Sequence, residues 1–293
     1  MISGVLLIDK PTGCTSNQVL QRFKKHFKSQ FKVGHTGCLD PLATGVLPVV
    51  IGRGTRFADF MISLDKAYTA TVLLGQTTTT GDSQGEVLTT CAVPSLTREH
   101  LDQVLQTLLG TIEQQYPAYS ACRHEGKRFY ELARAGKPIP VKTKQVVVRD
   151  IRLLSFDNPS FSFSVDVTKG TYIRCLAESI GQKLGCGAHI TALRRDRVGA
   201  WLLSSSYSLE EVLSWDYQTL QQHLLPITKM IESYPTFNVN QAILAALKAG
   251  KKFQSAGQEQ GWYQLQDTDA NIVHGLVHIS EQGFVKDRKF IEI

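Results

Sequence analysis

Residues 33–52 read VGHTGCLDPLATGVLPVVIG, and two different kinds of sequence meet inside them. The second half, VLPVVIG, is a nearly continuous apolar run of strand length and reads as a strand. The first half is a loop in which Gly34, Gly37, Gly45 and Pro41 surround one carboxylate, Asp40. Asp followed by Pro is a helix-start pattern, but Gly45 and Pro48 follow so soon that any helix there is very short. Pro41 instead biases Asp40 towards extended geometry, and the glycines permit the loop to lie close to a bound group.

Working outward, GVLLID (4–9) is a strand and SNQVLQRFKKHFK (16–28) has helical spacing behind a Ser cap. KAYTATVLLG (66–75) is strand-like and runs into the polar turn TTTTGDSQGE, and residues 96–110 form an amphipathic helix stopped by Gly110. Residues 115–145 are rich in Pro, Gly, Lys and Arg and cannot build a core, so they read as a surface arm or insertion. Strands follow at QVVVRDIRLLSF and SFSFSVDVTKG, a helix at TYIRCLAESIGQKLG, a strand and turn at HITALRRDRVGAW, and two helices within 208–231. Tyr234-Pro235 marks a boundary. Beyond it a short helix, NQAILAALKAG, precedes three alternating segments, WYQLQ, IVHGLVHIS and FVKDRKFIEI, which predict a small, mostly β module. Strands and helices mix without strict alternation, which favours an α+β design over a doubly wound parallel sheet.

The 293 residues suffice for one large domain or one large and one small, and 42% hydrophobic with 20% charged residues is the composition of a soluble globular protein. No apolar run is long enough to span a bilayer, and MISGVLLIDKP lacks the basic start of a signal peptide. The six cysteines are scattered singly without a CxxC pair, so the reading is reduced thiols in a cytoplasm, with neither a zinc site nor a redox motif. Cys38 has no assigned His partner and is not read as a nucleophile. The net charge of +6 is mild, but its placement is not even. Arg123, Lys127, Arg128, Arg134, Lys137, Lys142, Lys144 and Arg149 face only Glu125 and Glu131 across 123–149, and Arg22, Lys24, Lys25, Lys28 and Lys32 crowd a segment without acids. Two such segments point to a polyanionic partner.

There is no GxGxxG after the first strand, no GxxxxGK[ST] and no HExxH. What remains is a lone carboxylate in a glycine-rich loop, which suits attack on, or proton removal beside, an electrophilic carbon. An ordinary glycosidase needs a second acid about 5–9 Å away; Asp9, Asp82 and Glu178 are available, though none has comparable loop context.

Five motifs in order carry a resemblance. GVLLIDKPTGCTSNQVL, VGHTGCLDPLATGVLPVVIG, DKAYTATVLLGQTTTTGDSQGE, YPAYSACRHEGKRFYELARAG and GTYIRCLAESIGQKLGCGAH with ALRRDRVG resemble the signatures of the bacterial tRNA pseudouridine-55 synthases, the TruB family. The agreement runs from residue 4 to about 203, with a looser match in the tail. The resemblance implies an α+β fold with a mixed, mainly antiparallel sheet and flanking helices, plus a small C-terminal PUA-like module. It implies a catalytic domain over 1–233, with an RNA-gripping insertion at about 115–145, and an RNA-binding module over 234–293. The implied activity is isomerisation of uridine-55 in the T-arm of tRNA by base flipping, glycosidic cleavage and reattachment through C5. No cofactor, metal, membrane or obligatory protein partner is implied, and the expected state is a cytoplasmic monomer.

By the same resemblance Asp40 is the essential carboxylate, attacking C1′ or taking a proton from C2′, and Arg174 pairs with it. Tyr68 stacks on the target uracil and helps the C5 proton leave. Tyr172 and Leu193 wall the pocket, and His35 fills the space the uridine vacates. From the residues alone Tyr68, Tyr172 and Leu193 read as core. Arg123, Lys127, Arg128, Lys142 and Lys144 are implied to hold RNA phosphates without reading sequence. Cys38, Thr79, Arg123, Ser179 and Asp196 depart from the family's usual residues, and none belongs to the set Asp40, Tyr68, Tyr172, Arg174 and Leu193.

Overall fold

The computed structural model describes residues 2–28, 31–255 and 257–292. Its main sheet runs, edge to edge, Tyr207–Ser208, Gly4–Lys10, Thr44–Ile51, Ala188–Val198, Lys66–Leu74, Ser160–Val167, Thr143–Asp157 and Gly110–Gln115. All neighbours along it are antiparallel except Tyr207–Ser208 with Gly4–Lys10 and Thr44–Ile51 with Ala188–Val198. The sheet is therefore mixed and mostly antiparallel, as expected. The second parallel join is short: Arg194 pairs with Thr44 and Arg195 with Gly45. It lies just after the Asp40 loop, so that loop enters the sheet where its two halves meet.

The apolar runs are explained by burial on two faces. Along Gly4–Lys10, Leu6 and Ile8 pack with Val19, Leu20 and Phe23 of the helix Ser16–His26, while Val5 and Leu7 pack with Phe57, Phe60, Met61 and, from the C-terminal module, Leu276. Along Lys66–Leu74 burial alternates instead, and Tyr68, Ala70, Val72 and Leu74 face the cluster built on the helices Arg98–Gln106 and Ile173–Lys183.

Several details differ from expectation. The cap of the first helix is Thr15, not Ser16: Thr15 accepts from Gln18 N, and the Gln18 side chain closes a capping box. That releases the Ser16 hydroxyl for another task, and the helix ends at His26 rather than at 28. Only short elements occupy 208–231: the helices Leu209–Val212 and Tyr217–His223 and the 3-10 turn Ile227–Met230. The arm is not featureless. A two-strand hairpin, Arg123–His124 with Lys127–Arg128, leads into the helix Phe129–Arg134, whose Phe129 and Leu132 are buried.

In the C-terminal module the helix Gln241–Lys248 and the strands Gly261–Asp267, Ile272–Ile279 and Val285–Phe290 match the expected segments, and Thr236–Val239 adds a parallel edge strand. The module has its own cluster, with Phe237, Leu247, Leu265, Val277 and Ile279.

Candidate active site

The loop around Asp40 is fixed by residues far from it in sequence. Gly13 N donates to Pro41 O at 2.8 Å, and Ala43 N to Asp40 O at 3.0 Å. The buried Ser16 hydroxyl accepts from Leu39 N at 2.8 Å and donates to Leu39 O at 3.3 Å. The Thr12 hydroxyl donates to Leu42 O at 2.9 Å. Lys10 is fully buried, and its ammonium donates to the carbonyls of Cys14 (2.6 Å), Pro11 (2.8 Å) and Pro41 (3.4 Å). Burial pushes its pKa down, an effect opposed by Cys14 and Asp40.

Arg195 supplies the other half of the support. It is 1% exposed and has no carboxylate partner among the described residues. Its Nε donates to Val46 O (2.8 Å), Nη2 to Gly37 O (3.2 Å) and Nη1 to Cys38 O (3.4 Å). Burying such a charge costs several kcal/mol (order of magnitude); three charged hydrogen bonds at about 1.5–3 kcal/mol each offset that. Gly45 has φ +108, and a Cβ there would lie 2.2 Å from Arg195 O. Its glycine is required by this close approach of two strands rather than by a bound group.

Against this rigid loop stands Arg174, in the first turn of the helix Ile173–Lys183, with Nε 2.9 Å from Asp40 Oδ2. The Arg174 side chain is 5% exposed and that of Asp40 38%, so the base of the pair is buried and the carboxylate still opens outward. The Nε–H is not aligned on an acceptor, which makes this a charge contact. Orientation of the guanidinium comes from Nη1 donating to Thr80 O and Nη2 to Tyr119 O at 2.9 Å. A cation in the first helical turn is opposed by the helix dipole; Asp40 compensates it.

The expected pocket residues fall in two groups. Tyr68 lies opposite Arg195, and Leu193 opposite Ala70, which puts Tyr68 and Leu193 on one face. Each is 8% exposed, and both belong to one apolar cluster with Leu39 and Ala43, which flank Asp40. Tyr172 caps the Arg174 helix without a side-chain capping bond. Gln114 holds its main chain from both sides, donating from Nε2 to Tyr172 O (2.9 Å) and accepting from Tyr172 N (2.7 Å). Burial pushes the Tyr172 phenol up to about 12, so it stays neutral. His35 ends the strand Val33–His35 opposite Val49; burial first, then the Arg195 charge, pushes its pKa down, which keeps it neutral near pH 7. The Cys38 thiol is exposed at the surface of the loop, yet desolvation and the Asp40 charge push it up, away from the nucleophilic thiolate.

Asp9 accepts from Gly45 N (3.1 Å) and pairs with Arg194 (3.0 Å), and Asp82 accepts from its own turn, from Thr80 Oγ1 (2.6 Å) and Gln84 N (3.1 Å). Both acids are thus engaged in holding backbone. Glu178 lies one turn beyond Arg174, and burial pushes its pKa up.

In the arm, Arg123, Lys127 and Arg128 are exposed, and the Arg128 charge is felt at Cys38, which brings the hairpin near the Asp40 loop. Lys142 is half-buried and donates to Arg123 O at 3.1 Å. Lys144 differs from the other four: its ammonium lies 4.1 Å from the Tyr172 ring centroid and 4.4 Å from that of Tyr116, and it donates to Gly170 O. Its ammonium is half-buried against these two rings.

Arg195 is the residue that sequence reasoning missed. Its signal was present: Leu193 and Arg195 are two apart on one strand and share a face, so a charge follows a pocket residue inward. Among the described residues no three His, Cys, Asp or Glu side chains gather as a metal site, and no helix is long and apolar enough to cross a membrane.

Comparison with known proteins gives the family. Residues 24–173 fit the model of the TruB family pseudouridylate synthase N-terminal domain, and residues 174–232 that of the tRNA pseudouridylate synthase B C-terminal domain. The tRNA pseudouridine synthase B of Coxiella burnetii is 38% identical over 296 residues and that of Nitrosococcus oceani 40% over 294 residues, each alignment covering 99% of this chain and 95% of the relative. A solved structure titled "Crystal Structure of a Cbf5-Nop10-Gar1 Complex" superposes with a TM-score of 0.74 at 25% identity, over 98% of this chain and 82% of that one. The mixed, mostly antiparallel sheet with its C-terminal β module is the framework of a pseudouridine synthase. The chain belongs to the TruB family.

Proposed function

We propose that this chain is the tRNA pseudouridine synthase of its family, isomerising uridine-55 of the T-arm, with Asp40 as the essential carboxylate. The observation that carries this is the half-open Asp40 carboxylate, 2.9 Å from the buried Arg174 guanidinium, on a loop held from both sides by Lys10 and Arg195. Flipping is required because the uracil must leave the sugar, turn and return through C5. Tyr68, Tyr172 and Leu193 offer it ring faces and apolar contact that offset the lost stacking, and His35 takes the place it leaves. The N1–C1′ bond breaks, the C5–C1′ bond forms, C5 loses its proton and N1 gains one. The product is an isomer, so no cofactor is needed. Asp40 acts at the sugar, by attack on C1′ or proton removal at C2′. Tyr68 assists loss of the C5 proton.

The arm's Arg123, Lys127, Arg128 and Lys142 hold phosphates and set register. The chain divides into a catalytic domain, 1–233, and an RNA-binding PUA-like module, 234–293; the separate sheet and cluster of residues 236–290 support this division. It works as a cytoplasmic monomer.

The test is incubation of purified protein with unmodified tRNA, with mass mapping of the modified position and tritium release from C5-labelled uridine. Modification at position 55 with release of label is expected. Binding without release would leave an RNA-binding or folding-assistant protein, and modification of ribosomal RNA alone would overturn the substrate.

A further inference from the structure

The arm leaves the sheet after Gly110–Gln115 and returns to it at Thr143–Asp157, and those two strands pair, with Lys144 opposite Gln114. Both positions of this root reach the same residue. Gln114, 5% exposed, grips the Tyr172 main chain, and Lys144 covers the Tyr172 ring. The Lys144 ammonium also lies over Tyr116, the first residue beyond the strand, and the two tyrosine rings are 6.1 Å apart at 68°. A third tie runs from Tyr119 O, on the same ascending limb, to Arg174 Nη2. Thus the residue that walls the uracil and the residue that pairs with Asp40 are both attached to the arm's root.

We propose that Lys144 is a positioning residue, whose ammonium staples the root of the arm to Tyr172 so that the arm's engagement of RNA sets the uracil wall. This rests on the reading of Tyr172 as part of the uracil pocket. A half-buried cation over two aromatic rings is attracted to both, and its donated bond to Gly170 O fixes the turn that precedes Tyr172. The titratable groups around it are Tyr116, Tyr172, Cys122 and Cys175, and no carboxylate pairs with it among the described residues. Desolvation pushes its pKa down to about 8. The folded pKa therefore lies below the ordinary 10.5, and the staple is charged below pH 8 and loses its charge as pH rises through it.

The experiment compares wild type with Lys144→Met and Lys144→Arg in single-turnover kinetics at saturating enzyme, with tRNA affinity measured across a salt series and the rate measured from pH 6.5 to 9.5. Met keeps the stem and removes the charge; Arg keeps the charge and can stack on one of the two rings. We expect Lys144→Met to lower the bound-state rate by about tenfold and to leave the salt slope of binding unchanged. Lys144→Arg restores most of the rate and removes the fall in rate above pH 8. A weaker affinity with a shallower salt slope and an unchanged bound-state rate would assign Lys144 to a phosphate and overturn the proposal. Limited trypsin digestion reads the same staple without catalysis: faster cleavage at Arg123, Lys127 and Arg128 in Lys144→Met, reversed in Lys144→Arg, supports it, and equal cleavage in all three overturns it. Wild-type protein that makes no pseudouridine would instead count against the assigned function, and the digestion would still decide the staple.

Discussion

Arg195 shows how one side chain can organise a site without facing it. Its three donated bonds join Val46, at the start of a strand, to Gly37 and Cys38, at the start of the Asp40 loop. Replacing it by Met strands three carbonyls in a buried space, and we expect a loss of about 3 kcal/mol in stability together with a fall in kcat larger than any change in KM. Chemical denaturation and steady-state kinetics on Arg195→Met check both. A stability loss with unchanged kcat would make Arg195 purely structural. For Asp40→Asn the expectation is opposite in kind: at least a thousandfold loss of turnover, about 4 kcal/mol of barrier, with tRNA affinity retained. Asn keeps the shape of the side chain and removes the charge. Near wild-type turnover by this variant in pure protein would remove Asp40 from the mechanism.

At the scale of elements, the arm and the sheet follow different rules. Arg123 and Lys127 stand on the exposed hairpin, free of the aromatic contacts that engage Lys144. Neutralising both to Gln should weaken tRNA binding and flatten the slope of log affinity against log salt by about one to two, with a smaller effect on the bound-state rate. An unchanged slope in a filter-binding series would remove them from the phosphate contacts. The strands Gly4–Lys10 and Thr44–Ile51 were legible in the sequence because burial on both faces leaves an uninterrupted apolar run. The hairpin in the arm was not, because two-residue strands carry no periodicity, and Thr236–Val239 depends on a partner strand, Gly261–Asp267, for its existence. The first helix was placed but its cap misassigned: Thr15 and Ser16 are both capping residues, and only the need of Leu39 for a partner decides which one turns away. Asp40 was found from its own loop. Arg174, Tyr68, Tyr172 and Leu193 were reached by resemblance alone, because nothing local to a strand tyrosine or a helical arginine reveals what the fold brings beside it.

The whole molecule is joined by the face that the C-terminal module covers. Phe60 meets Trp262 edge-on at 4.9 Å and Tyr234 at 5.5 Å, and Lys289 lies 4.9 Å over the same ring while donating to Arg56 O at 2.8 Å. Leu276, fully buried, completes the cluster around Val5 and Leu7, and Arg53 donates to Ile291 O at 3.1 Å. The second face of the strand Gly4–Lys10 is covered by Phe57, Phe60 and Met61, which the module in turn packs against through Leu276 and Trp262, and the two parts should unfold together. Phe60→Ala removes a ring at the centre of that contact, far from the Asp40 loop in the fold's order of packing. We expect it to cost about 3–5 kcal/mol, to lower the melting temperature by about 10 °C, and to keep one calorimetric transition. The rate of bound tRNA conversion at 25 °C should stay close to wild type, because no contact of Asp40, Arg174 or Tyr172 is touched. A melt that splits in two would show that the module folds by itself, and a melting temperature equal to wild type would remove Phe60 from the energetics of docking.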